Sequence, residues 1–151
     1  FVSRMVGGWN SQVEQRQAFD FIREHEMEEV VKDCGIVADM EPIYAETDVV
    51  LITSRRDPFP RVVMEAMCHG IPVVATRVDG IPEMVEDGVT GFLVESEDIE
   101  GFAGSLERLL KDAALRRRMG AAGWERAKTL FAPEAYAAAM RDIYRSLAVR
   151  A

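Results

Sequence analysis

Residues 48–75 constrain the fold more than any other stretch of the chain. Val49-Val50-Leu51-Ile52 is short, apolar and rich in β-branched side chains, the composition of a strand buried on both faces of a parallel sheet. A polar loop follows, with Arg55, Arg56, Asp57, Pro58 and Pro60. From Arg61 the residues favour helix, and Pro60 can occupy a first turn, where its missing N–H costs nothing. Gly70 stands where a helix ends, and Ile71-Pro72-Val73-Val74-Ala75 reads as a second short buried strand. Strand, loop, helix and strand in that order predict an α/β fold with parallel pairing.

In open α/β sheets, ligands bind outside the carboxyl ends of the strands, among loops that lead into helices. Residues 54–60 form such a loop. The unpaired N–H groups and positive dipole end of the following helix favour an anion, typically phosphate. Glu65 lies four residues after Arg61, so both share one helix face, ~6 Å apart along the axis. A carboxylate there can accept hydrogen bonds from both hydroxyls of a ribose, with phosphates nearer the helix start. Many α/β proteins carry a helical Glu and a loop Asp in this arrangement for structural reasons alone, so geometry leaves both roles open.

With 151 residues the chain suffices for one domain with its own core. No apolar run approaches the roughly 20 residues of a membrane span, and no signal-peptide pattern opens the chain. A net charge of −8 argues against a nucleic-acid partner and against docking of this domain on an anionic membrane. Cys34 and Cys68 lack metal-ligand spacing, and His25 and His69 form no cluster with them. Reduced thiols in a cytoplasmic protein and no metal site are expected.

The first residues, Phe1 to Val6, read as a strand entered part-way, so truncation at the N-terminus is expected. Gly7-Gly8 lacks the third glycine and the lysine of a phosphate loop and reads as a tight turn. Asn10 or Ser11 caps a helix running to about Val30, with Val13, Ala18, Phe21 and Ile22 on its apolar face. Val31 to Gly35 is a short strand weakened by Lys32 and Asp33, and Glu41 to Glu46 a short helix in which Tyr44 reads as core. Residues 79–83 predict a turn and a proline-started helix, and Phe92-Leu93-Val94 the last strand. Asp98 or Ser96 caps a helix with Phe102, Leu106 and Leu109 in an amphipathic stripe. A second helix starts at Asp112, interrupted by Gly120 and Gly123; a third starts at Pro133, with Tyr136, Met140, Ile143, Tyr144 and Leu147 on one side. These stripes are assigned to the core. The sum is a Rossmann-like parallel sheet flanked by helices on both faces, with extra C-terminal helices.

Asp57-Pro-Phe-Pro-x4-Glu65-Ala-Met-x2-Gly70-x-Pro72-Val-Val-Ala75, then Gly80-Ile-Pro82-Glu83 and Asp87-Gly88-x2-Gly91-Phe-Leu-Val94, resembles the family 4 glycosyltransferases of the GT-B fold. The resemblance runs from Phe1 to about Leu147 and implies the donor-binding C-terminal domain, one half of the GT-B fold, with the acceptor-binding N-terminal domain absent. It implies a retaining transferase of hexosyl type with a nucleotide-diphosphate sugar as donor substrate and no metal or other cofactor. Asp57 matches the acid beside the transferred sugar and is the catalytic candidate; Glu65 matches the acid on the ribose. Phe59, Pro60, Arg61 and Val62 complete the donor-binding set, and Val31, Lys32 and Asp33 match the segment near the nucleotide base. The family's first acid is usually Glu, and Pro60 stands where it usually has Gly. An Arg and a Lys that hold the diphosphate belong to a unit before Phe1, so the 151-residue chain alone is expected to be inactive. Any attachment to the inner membrane face would be made through the missing domain.

A non-catalytic α/β module that binds a nucleotide or docks to a protein is the alternative from a different class. Another GT-B enzyme, such as a sugar-nucleotide epimerase, fits Gly80-Ile-Pro82-Glu83 less well. Nucleotide titration separates a binder from a docking module, and turnover by the full-length protein separates an enzyme from both.

Overall fold

The computed structural model describes residues 1–9 and 11–148. The chain divides into two compact units, Phe1–Ile43 and Tyr44–Ala151. In the first, β1 (Ser3–Val6) and β2 (Val31–Gly35) pair in parallel, with Ser3 opposite Val31, across α1 (Gln12–Glu24). Ser11 caps α1, its hydroxyl accepting from the Glu14 amide at 3.1 Å; Asn10, the other candidate cap, lies outside the described residues. The helix stops at Glu24, short of the expected Val30, because Glu26 takes a left-handed conformation at φ +53° and turns the chain. Ile22 is the buried residue of α1.

A short helix, α2 (Glu41–Ala45), ends in the second unit, which continues with β3 (Val50–Ile52), α3 (Arg61–Cys68), β4 (Val73–Thr76), α4 (Ile81–Met84) and β5 (Gly91–Val94). Three helices follow: α5 (Ile99–Lys111), α6 (Ala113–Leu130) and α7 (Pro133–Ala148). The strands lie in the order β3-β4-β5, all parallel. Every residue of the central strand β4 is buried, as its unbroken Val73-Val74-Ala75-Thr76 composition requires. Val74, Phe92, Val94, Leu109, Leu115 and Met119 form the core cluster between sheet and helices. Each such side chain contributes about 1.5–3 kcal/mol by leaving water.

The parallel pairing expected of the strands is present in each unit, β1 with β2 and β3-β4-β5. Two expectations need correction. First, α6 is not interrupted at its glycines. It runs unbroken past Gly120 and Gly123, and a Cβ on Gly120 would lie 1.8 Å from the Gly70 carbonyl oxygen. Gly120 is there because two backbones touch. Second, the stripe of α7 is not core: Tyr136, Ile143, Tyr144 and Leu147 are exposed, and no residue described in that helix is buried.

This contact yields a paired test. Gly120→Ala is expected to lower stability by about 3 kcal/mol, since backbone has to move. Gly123→Ala meets its nearest neighbour, Met67 Cγ, at an ordinary 3.6 Å and should raise stability by up to ~1 kcal/mol through helix propensity. Urea unfolding midpoints that moved together would show that the backbone contact is not what holds α3 to α6.

Candidate functional site

The exit from β3 is fixed from β4. Buried Thr76 donates its hydroxyl to the Ser54 carbonyl at 2.5 Å. Two residues in the turn after β4 then support the loop. Asp79 accepts the Asp57 amide through Oδ2 at 2.9 Å, and Gly80 passes so close that a Cβ would lie 1.9 Å from the Pro58 carbonyl oxygen. Asp57 turns its own Oδ1 back to the Phe59 amide at 3.1 Å, closing an Asx turn. The half-exposed Phe59 ring meets Phe131 edge-on, centroids 5.8 Å apart. Pro60 is the N-cap of α3 at φ −66°, just outside the helix rather than in its first turn, and offers no capping side chain.

Consequently no N-cap side chain accepts from the first amides of α3, at Arg61 and Val62, and its first turn holds no acidic residue. The dipole end is left positive. The Arg61 side chain is 82% exposed and reaches Glu65 Oε1 at 3.8 Å. Val62 is exposed beside it.

Glu65 stands one turn into α3, its side chain 33% exposed. Tyr44, 5% exposed, donates its hydroxyl to Glu65 Oε2 at 2.7 Å. Burial, then the hydrogen bond and charge of Glu65, push the phenol above its ordinary pKa, with Arg61 pulling the other way. Tyr44 therefore stays protonated and donating. Its ring stacks on His69, centroids 4.7 Å apart, and His69 Nδ1 lies 2.8 Å from the Glu65 carbonyl oxygen. The core assignment of Tyr44 holds for its ring, but its hydroxyl is tied to the ribose candidate.

The structure thus brings Asp57, Phe59, Pro60, Arg61, Val62 and Glu65 onto one loop and helix start. Val31, Lys32 and Asp33 belong to β2 of the first unit. There the Lys32 ammonium donates to the Glu28 carbonyl at 2.7 Å, and Asp33 accepts from the Trp9 indole at 3.2 Å and the Gly35 amide at 3.0 Å. Sequence reasoning missed Thr76, Asp79 and the Tyr44 hydroxyl as supports. It also missed Arg77, which pairs with Asp87 at 2.7 Å and Glu95 at 3.1 Å. Asp79-Gly80 carried a signal, since that dipeptide marks a special turn; the rest had none. Among the described residues, no three His, Cys, Asp or Glu gather as metal ligands, and no helix is long and apolar enough to cross a membrane.

A family model described as "Glycosyl transferases group 1" matches residues 3–112. The chain belongs to the group 1 glycosyl transferases. Among curated relatives of this group 1 chain, it is 36% identical over 118 residues to an N-acetyl-alpha-D-glucosaminyl L-malate synthase of Bacillus anthracis, covering 78% of this chain and 31% of the relative. It is 40% identical over 111 residues to a D-inositol 3-phosphate glycosyltransferase of Corynebacterium diphtheriae, covering 74% and 26%. Sucrose-phosphate synthase from Thermosynechococcus elongatus superposes with a TM-score of 0.84 at 32% identity, over 98% of this chain and 39% of that one. Anabaena HepE, solved in complex with UDP, gives 0.85 at 28% identity, over 98% and 41%. The α/β architecture is therefore part of the GT-B fold, as expected. The group 1 chain spans about a quarter to a third of the length of the curated relatives it matches.

Asp79→Ala removes the acceptor of the Asp57 amide, a bond worth about 1 kcal/mol. Amide exchange at Asp57 should quicken roughly fivefold, with the β4 amides unchanged; unaltered exchange at Asp57 would show that Asp79 does not hold the loop.

Proposed function

We propose that this chain is the donor-binding part of a retaining glycosyltransferase that moves a sugar from a nucleotide-diphosphate sugar to an acceptor. The observation that carries it is the Glu65 carboxylate, fixed by Tyr44 and one turn inside a helix whose first amides are uncapped, in a group 1 glycosyl transferase chain. Anabaena HepE, similar over nearly the whole chain, is known in complex with UDP and with UDP-glucose, which supports a nucleotide-sugar here.

In this reading the diphosphate lies at the start of α3, accepting from the Arg61 and Val62 amides. The dipole favours the charge that grows on it as the glycosidic bond breaks. Glu65 accepts the ribose hydroxyls. The sugar lies beside Asp57, whose negative charge offsets the positive charge developing on the anomeric carbon. The acceptor is bound by parts of the full-length protein outside this chain, in keeping with its covering 39–41% of the two structural neighbours. The exposed stripe of α7 offers those parts a surface.

A second reading, nucleotide binding without transfer, draws on Asp57 itself. Its Oδ1 already accepts from Phe59, as a purely structural loop residue would.

Two substitutions in the full-length protein separate the readings. Glu65→Gln exchanges an acceptor oxygen for a donor and loses a charge-assisted bond of roughly 1.5–3 kcal/mol. Nucleoside diphosphate binding should weaken by roughly ten- to a hundredfold. Asp57→Asn should leave that binding intact and lower kcat for the whole donor. Calorimetry and steady-state kinetics decide: equal loss of nucleotide binding in both variants refutes the assigned roles, and unchanged turnover in Asp57→Asn removes Asp57 from the chemistry.

A further inference from the structure

We propose that Tyr44 is the positioning residue of the donor site, its buried hydroxyl setting the one Glu65 conformation that can accept both ribose hydroxyls. The inference rests on the reading of Glu65 as the ribose acceptor.

A glutamate on a half-open helix face has three rotatable bonds and, in water, many conformations. Here one oxygen is taken. The Tyr44 hydroxyl sits 2.7 Å from Oε2, from a residue 21 positions earlier in the chain. A phenol has a single O–H to give, and a bond from it to a charged carboxylate is of the strong, directional kind. The ring behind that hydroxyl has little freedom. It is buried and stacked on His69 at 4.7 Å, and His69 is itself held 2.8 Å from the carbonyl of Glu65. One residue therefore has its backbone and its side chain tied to the two members of the same stacked pair. Among the described residues, Oε1 pairs with the loosely held Arg61 guanidinium at 3.8 Å. A carboxylate offers roughly four lone-pair directions, so Tyr44 uses one and leaves enough for a pair of vicinal hydroxyls. A carboxylate already fixed in that pose loses less freedom when the diol arrives.

Tyr44 touches no substrate atom in this account; it acts through Glu65. Phenylalanine keeps the ring and the stack and removes only the donor, so Tyr44→Phe isolates the positioning role.

The test uses the full-length protein and calorimetry with UDP, ADP and GDP, followed by the 2′,3′-dideoxy form of whichever binds tightest. The wild type should prefer the diol form by roughly ten- to a hundredfold, and Glu65→Gln should erase most of that preference. Tyr44→Phe should weaken the diol form by about five- to twentyfold and leave the dideoxy form within about twofold. Tyr44→Phe added to Glu65→Gln should cost little more than Glu65→Gln alone. If Tyr44→Phe weakens both forms equally, or neither, Tyr44 is a packing residue and the inference fails while the reading of Glu65 survives. If no diphosphate binds, if the wild type shows no diol preference, or if Glu65→Gln keeps it, the reading of Glu65 fails and this inference with it.

Discussion

Two glycines that meet backbone to backbone fix the geometry on which the site depends. Gly70 ends α3 in a left-handed conformation, φ +67°, with its own amide bonded to Met67 and the next amide, Ile71, bonded to Ala66. This Schellman arrangement satisfies the last carbonyls of the helix. It also aims the Gly70 carbonyl at Gly120, where any side chain would intrude. With its C-terminus pinned there and Val63, Ala66 and Met67 fully buried, α3 cannot slide or rotate on the sheet. The positions of its first amides and of Glu65 follow from that anchorage.

In the proposed reading an acidic chain receives a diphosphate, and its positive potential has to be concentrated, because the field at long range repels an anion. Three arginines of the second unit are committed elsewhere. Arg77 is paired to two carboxylates, Arg116 donates to the Leu109 and Leu110 carbonyls at the end of α5, and Arg126 to the Glu83 and Met84 carbonyls at the end of α4. These arginines finish helices and turns. At the loop itself stand the exposed Arg61 side chain and the uncapped start of α3, a source that acts at contact distance and that salt screens least when the anion sits on the amides.

Local pattern made much of this legible and long-range pairing hid the rest. The strand, loop, helix and strand of residues 49–76, the caps at Asp98 and Asp112 and the close of α3 at Gly70 are written in neighbouring residues, and the structure has them. The hydrogen bond from Tyr44 to Glu65 and that from Asp57 to Asp79 join residues 21 and 22 positions apart, with no periodicity to mark them. Gly120 looked like a helix breaker because propensity counts only the cost of its missing side chain; the gain lies on another helix. For α7 the fault was different. Tyr136, Ile143 and Leu147 do form a stripe, but an amphipathic pattern says that a face prefers cover, not that the same chain supplies it.

The two departures from the family pattern, Asp57 and Pro60, have a common physical effect. An aspartate is short enough to close an Asx turn on the amide two residues ahead, which the structure shows at Phe59; a glutamate in its place has an extra methylene and closes that ring poorly. Pro60 fixes φ at −66° at the entry to α3, where glycine would leave the backbone free. Pro58 restricts Asp57 and Pro60 restricts Phe59, and the Asp79 carboxylate and the Gly80 approach hold the loop. Each change removes conformations from the unbound loop. In the proposed reading, a loop built this way meets the donor already in place, and the freedom it gives up is lost on folding and not on binding. Proline at the N-cap also removes one backbone donor that glycine would have offered, so an anion at this helix depends on the amides of Arg61 and Val62 and cannot move back along the loop.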